Sequence, residues 1–219
     1  MLPRLPVVLA LLLCAAPLGA QAPGFTVMPV LDNATVTAVR LKLAPGAKEQ
    51  PHTHPYTMLV VVLTLGEMEM YNGEVHTKSP RKPGDLEYVG AGVSHHSGNV
   101  GAMPLEALVL AIKADRVRGG TAPPAQALPG VTRTPILDKP DVIVTRLEFE
   151  AEVREAVHTH PYDLLVVPTT PARLDVQIGD KKSVRGYAVG EAFFVPRNVP
   201  HAVANVGTSS FRLLGIRFK

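Results

Sequence analysis

Apolar positions along the chain come in short bursts. Val, Leu, Ile, Thr and Tyr dominate 35–43, 56–65, 85–89 and 105–113, and again 141–149, 162–168, 173–179, 191–195 and 211–218. Turn-forming clusters separate them, among them APGAK at 44–48, YNGE at 71–74, SPRKPGD at 79–85 and PRNVP at 196–200. Short β-branched runs punctuated by Gly, Pro and Asn predict strands joined by tight turns. GEMEMY at 66–71 alternates Met with Glu, the period of a strand with one buried and one wet face. Past residue 22 no segment sustains a 3.6-residue apolar period. The pattern predicts an all-β protein of the jelly-roll sandwich or barrel type.

The same pattern occurs twice. PVLDNATVTAVRLKL at 29–43 lies over PILDKPDVIVTRLEF at 135–149, and HTHPY at 52–56 recurs unchanged at 158–162. At the same offset of 106, Gly84 lies over Gly190, His95 over His201, and NVG at 99–101 over NVG at 205–207. A constant offset over most of each half marks an internal duplication. ADRVRGGTAPPAQALPG at 114–130 is rich in Gly, Pro and Ala and reads as an interdomain linker. The expected organisation is a leader at 1–22, a first domain at 23–113, the linker at 114–130 and a second domain at 131–219.

Composition narrows the function. Of 219 residues, 46% are hydrophobic and 19% charged, as in a folded globular chain. The net charge of +3 is small and no Lys/Arg stripe occurs, so neither a nucleic acid nor an acidic membrane is expected as partner. MLPRLPVVLALLLCAAPLGAQA has an early Arg4, an apolar run too short to span a bilayer, and small residues ending at Ala20 or Ala22. It reads as a signal peptide, which places the mature protein in the periplasm or outside the cell. Cys14, the one cysteine, leaves with it unless it is lipidated, and Leu13 before it argues against that. The mature chain then has neither disulfide nor thiolate, and its metal loads after export.

Four of the eight histidines sit in the two HTHPY stretches. Residues i and i+2 of a strand share a face, so His52 and His54 present two imidazoles to one interior, and a neighbouring strand brings His95 as a third. His158, His160 and His201 repeat the set. Imidazole suits Zn, Cu, Fe and Ni, and three protein ligands leave open positions.

These residues resemble the cupin superfamily. Its first motif runs Gly, five residues, His-x-His, a few residues, Glu, and on to Gly; here stand Gly46, His52-Thr53-His54 and Gly66. Its second runs Gly, Pro-x-Gly, His, Asn. GDLEYVGAGVSHHSGN at 84–99 supplies Gly84, Gly92, His95 and Asn99, with Gly90 for the proline. GEAFFVPRNVPHAVAN at 190–205 supplies Gly190, Pro196, His201 and Asn205. There Asn198 replaces the middle glycine, a mild change because Asn tolerates the left-handed conformation.

The resemblance implies two tandem cupin barrels, a bicupin, each with a three-His centre for Zn, Cu, Fe, Mn or Ni. It departs from the family in lacking the motif glutamate, since Met58, Leu59 and Leu164 stand where it is expected. That absence argues against oxalate-type decarboxylation. Three neutral imidazoles leave the ion's charge uncompensated and favour an anionic ligand. The resemblance extends to dioxygenases that bind thiolates, enolates or hydroxy-acids. Tyr56, Tyr162 and Asp163 are the candidate catalytic residues, although strand parity aims Asp163 away from the histidines. Met58 is expected in the core, His76 and His96 outside the site, and the pairs Tyr88/Phe194 and Glu87/Phe193 mark differences between the pockets. Two readings stand at this point: a metal-dependent dioxygenase acting on a small anionic substrate, and a non-catalytic metal or small-ligand binding protein. Self-association into a homo-oligomer is left open by the sequence.

Overall fold

Alternating burial marks the strands at 66–72 and 172–178, where buried positions recur at every second residue. The computed structural model describes residues 24–113 and 128–219; among them are sixteen strands and no helix. The leader reading at 1–22, with Cys14, and the linker reading up to residue 127 lie outside the described residues. The chain divides into two compact units, Met1–Ala114 and Asp115–Lys219.

The first unit contains β1 (Phe25–Asp32), β2 (Val36–Leu43), β3 (Thr57–Val62), β4 (Gly66–Asn72), β5 (Val75–Arg81), β6 (Leu86–Val89), β7 (His95–Asn99) and β8 (Leu105–Ile112). The second contains β9 (Val131–Asp138), β10 (Val142–Phe149), β11 (Leu164–Pro168), β12 (Ala172–Ile178), β13 (Lys181–Tyr187), β14 (Phe193–Val195), β15 (His201–Asn205) and β16 (Phe211–Phe218). Six of the eight corresponding strands keep identical bounds at the 106-residue offset. Each unit is a jelly-roll-like pair of antiparallel sheets, ordered β1-β2-β8-β3-β6 and β5-β4-β7 in the first, β9-β10-β16-β11-β14 and β13-β12-β15 in the second.

Proline sits where a ladder tolerates it. Pro29 and Pro135 lie in β1 and β9, the outermost strands of their sheets, and each adjoins a register shift. Proline cannot donate to a ladder, so an edge strand at a bulge is its usual place in a sheet.

The interiors differ in content but not in plan. Leu43 and Leu105 face each other across β2 and β8, and Phe149 and Phe211 take their places across β10 and β16, stacked with centroids 4.9 Å apart. Met68 and Met70 of the first core become the smaller Leu174 and Val176 in the second. Larger rings on one sheet are thus offset by smaller side chains on the other, which keeps interior density. Met58 packs in the first core, as expected, and Met68 and Met70 are buried as the alternation requires.

Candidate metal centre

The His-x-His segments are fixed by a short ladder. His52 and His95 exchange both main-chain bonds at 3.0 and 2.9 Å, and His158 and His201 do the same at the same distances. The carbonyl of the second histidine is caught as well: Gly92 N–H donates to His54 at 2.8 Å, and Asn198 N–H to His160 at 2.6 Å. Gly92 has φ +75° and Asn198 φ +58°, so asparagine adopts the left-handed turn that glycine serves in the first unit. The motif asparagines close the barrel. Asn99 Nδ2 donates to the carbonyls of Leu43 and Met103 and its Oδ1 accepts from Gly101 N–H. Asn205 does the same with Glu150, Ser209 and Gly207.

The ligand atoms of His52, His54 and His95 lie within 4.8 Å of one another, as do those of His158, His160 and His201. His95 and His201 are buried and the other four half-buried. Two rings in each trio are locked by a bond from Nδ1 to the carbonyl two residues earlier. His52 bonds Gln50 at 2.8 Å and His95 bonds Val93 at 3.1 Å. His158 bonds Ala156 at 2.9 Å and His201 bonds Val199 at 3.0 Å. A carbonyl only accepts, so Nδ1 carries the proton and Nε2 presents its lone pair. Burial, reinforced by the neighbouring histidines, holds His54 and His160 down at about 4. Burial also lowers His95 and His201, against the pull of their carbonyl bonds. These imidazoles are therefore neutral at neutral pH, the state a metal requires. The donor set fits one transition-metal ion per trio, which the three ring nitrogens would hold.

A carboxylate stands beside each trio. Glu49 accepts from Ser97 N–H at 2.9 Å and from Ser97 Oγ at 2.7 Å, and its charge acts on His95. Glu155 is paired with Arg133 at 3.2 Å; burial raises it, while His158 and Arg133 pull it down. Sequence reasoning missed both, because a glutamate three residues before a strand histidine belongs on the opposite face. The bridges Lys48↔Gly98 and His52↔His95 are spaced four residues on one side and three on the other. That extra residue reverses the parity; Arg154↔Ala204 and His158↔His201 show the same mismatch. The recurrence of Glu at the 106-residue offset was the available signal.

The other predicted residues fall as follows. Asp163 is buried, with its carboxylate accepting from Arg197 N–H at 2.8 Å and from the Arg197 guanidinium at 3.3 Å. Among the described residues each cluster consists of three histidines, and Asp163 is in neither. Tyr56 packs against the first core. Tyr162 stacks on His160, with centroids 4.7 Å apart and planes at 11°, and burial raises its phenol. His76 and His96 stack on the two sides of the Tyr71 position, at 4.1 and 4.2 Å, and belong to neither trio. Glu87 pairs with Arg81, while their counterparts Phe193 and Tyr187 meet edge to face at 5.6 Å.

Comparison with known proteins agrees with this architecture. The family model described as Cupin domain matches residues 39–111. No curated protein matches the chain. Solved structures match over nearly the whole length. A cupin 2 conserved barrel domain protein from Leptotrichia buccalis is 18% identical, with TM-score 0.62 and 91% of each chain covered. AerE from Microcystis aeruginosa is 19% identical, with TM-score 0.66, covering 89% of this chain and 98% of its own. Salicylate 1,2-dioxygenase from Pseudaminobacter salicylatoxidans is 12% identical, with TM-score 0.70, covering 89% and 76%. With the cupin domain matched in its first unit, the fold of cupin proteins over nearly the whole length and a three-His cluster in each half, the chain has the architecture of a bicupin.

Proposed function

We propose that each trio holds one divalent transition-metal ion and that the chain acts through these centres on a small anionic substrate, as a metal-dependent dioxygenase. The observation that carries the metal is the repeated Nδ1–H bond of His52, His95, His158 and His201 to the carbonyl two residues back. A bound ion would supply Lewis acidity and open positions for a chelating ligand. Imidazole ligands add no negative charge, so the ion's charge is left for the ligand to balance. The fold shared with salicylate 1,2-dioxygenase, which has also been solved with gentisate, supports a small aromatic or hydroxy-acid anion. Tyr162, stacked on His160, offers a ring face and a hydroxyl beside the centre. Glu49 and Glu155 offer a carboxylate near each trio for holding a substrate proton.

Elemental analysis tests the metal: two ions per chain in the parent, one in His52→Ala or His158→Ala, none in the double variant. A parent chain that binds no ion from Zn, Cu, Fe, Mn or Ni overturns the reading. Oxygen uptake with a panel of enolates, thiols and hydroxy-acids tests the reaction. A second reading, binding without turnover, is favoured by the ties on both carboxylates, Glu49 to Ser97 and Glu155 to Arg133. Two bound ions with no oxygen uptake across the panel would select it. Cleavage after Ala20 or Ala22, read from the mass of the mature chain, tests the proposed export.

A further inference from the structure

A cavity of about 640 Å³ opens at the end of the second unit that is remote from its histidines. β12 pairs Ile178 with His201 and Leu174 with Asn205, and Ala172 in the cavity wall stands about 20 Å along that strand from Ile178. The volume suits a small organic molecule. The loop 206–210 brings Thr208, Ser209 and Ser210 to the lining. Asn205 holds that loop, accepting from Gly207 N–H at 3.0 Å and donating to the Ser209 carbonyl at 2.8 Å. Val206 N–H donates to the Arg173 carbonyl at 3.0 Å, which ties the loop to β12. Leu174 and Val176 point into the core, so Arg173 projects from the outer face of β12, where it is exposed and lines the cavity. Pro171, Ala172 and Tyr187 add apolar surface, and the Tyr187 ring is 5% exposed.

The charged side chains of the lining are Arg173 and Glu191. Glu191 is committed elsewhere: it accepts from Ala188 N–H at 2.9 Å and pairs with Arg185. Asp175, the next outward carboxylate of β12, pairs with Arg154 at 2.9 Å. Gly186 lies opposite Arg173 in the ladder, and a Cβ there would meet nothing within 4 Å, so the space beside Arg173 is open. The first unit keeps the frame and changes the lining. Asn99 makes the corresponding bonds to Met103 and Gly101. Yet Ala102, Met103 and Pro104 stand in place of the three hydroxyl residues, Glu67 in place of Arg173 and Pro80 in place of Gly186. A guanidinium and three hydroxyls meet at this place in one unit only.

We propose that this cavity is a second ligand site, for a small organic phosphate: Arg173 and the hydroxyls of Thr208, Ser209 and Ser210 take the phosphoryl oxygens, and Pro171, Ala172 and Tyr187 take the organic group. The planar donor fork of a guanidinium matches a phosphoryl group, and its charge-assisted bonds are the strong kind. Hydroxyls rotate to give their hydrogens to the remaining oxygens, of which a carboxylate has fewer to offer. A loop already fixed by Asn205 spares the ligand the cost of ordering it. The site stands apart from both histidine trios and does not depend on a metal.

The test titrates the isotope-labelled full-length chain with phenyl phosphate, and with phenol as its uncharged counterpart, following the amide resonances. Phenyl phosphate is expected to shift the amides of Gly186 and of residues 207–210 saturably, at concentrations about tenfold or more below those phenol requires. Arg173→Gln raises the half-saturating concentration by about tenfold or more, and Arg173→Glu, the residue the first unit carries there, abolishes the shift. The Ser209→Ala, Ser210→Ala double variant weakens binding with Arg173 in place. These residues are exposed, so the far-ultraviolet circular dichroism and the urea midpoint of each variant should match the parent's. Absence of a saturable shift at 207–210, shifts confined to residues around the histidines, or equal half-saturation in the parent and both Arg173 variants overturns the proposal.

Discussion

Replacing Asp163 by alanine removes two hydrogen-bond acceptors of unequal worth. Its carboxylate accepts from Arg197 N–H at 2.8 Å and from the Arg197 guanidinium at 3.3 Å. The Asp163 side chain is 10% exposed, that of Arg197 36%. An amide left without its acceptor in a buried place costs about 1–3 kcal/mol. An ion pair to a side chain this exposed contributes about 0–1 kcal/mol. Asp163→Ala should therefore destabilise the second unit by about 1–4 kcal/mol, and Arg197→Ala by less than about 1 kcal/mol. Asp163→Asn keeps an oxygen for the amide and falls near the smaller figure. The consequence reaches the metal, because the next residue, Asn198, donates its N–H to His160 at 2.6 Å. A loosened turn should lower second-centre metal affinity by about 10–100-fold and leave the first centre alone. The chain has no tryptophan, so urea unfolding is followed by far-ultraviolet circular dichroism and fitted as two transitions, one per unit. Equal costs for Asp163→Ala and Arg197→Ala would refute the dominance of the amide bond. Lost turnover in Asp163→Asn, with metal affinity and stability intact, would make Asp163 a chemical participant instead of a turn anchor.

Asn205→Ala should destabilise the second unit, and Asn99→Ala the first, by about 2–4 kcal/mol each in urea unfolding, since each leaves two carbonyls and one amide without their partner. Glu152 has φ 63° at the place of Gly46, φ +76°; Glu152→Gly relieves about 1 kcal/mol of left-handed strain and should raise the thermal midpoint of the second unit by a few degrees. In metal-free protein, His54 and His160 are held at about 4, below the ordinary 6.5 of histidine. Between those values the unfolded chain binds protons that the folded one refuses, so stability is full above about pH 6.5 and declines as pH falls toward 4. Urea midpoints across that range should show the decline, and a His54→Gln, His160→Gln double variant should show a shallower one.

The duplication, the β class and both histidine trios were readable because each rests on a local or repeated signal. Strands 36–43 and 142–149 announce themselves by dense Val and Leu. β1 and β9 do not, because Pro29 and Pro135 interrupt them and only sheet-edge placement reconciles proline with pairing. β5 and β13, VHTKSPR and KKSVRGY, are largely exposed outer strands whose polar residues face solvent on both sides. Glu49 and Glu155 were hidden by one extra residue that reverses parity. Glu87/Phe193 looked like a pocket difference, yet it changes together with Arg81/Tyr187, an ion pair in one unit becoming an aromatic contact in the other. Arg133 and Arg217 lie far in sequence from HTHPY, and only closure of the barrel brings them to it.

What the two units share and where they part bears on what the duplication is for. The shared set is the apparatus that presents nitrogen: the ladder of His52 with His95 and of His158 with His201, the Nδ1–H bonds to carbonyls, and the turn residue in left-handed conformation. A half that had ceased to hold an ion would have no physical reason to keep three half-desolvated imidazoles converging, because each would gain by turning outward to water. The differences lie elsewhere, at Val27/Arg133, Ala111/Arg217 and Thr57/Asp163, positions that touch the histidines' surroundings and not their ligand atoms. Those substitutions leave the presentation of the ring nitrogens untouched while changing the side chains that surround them.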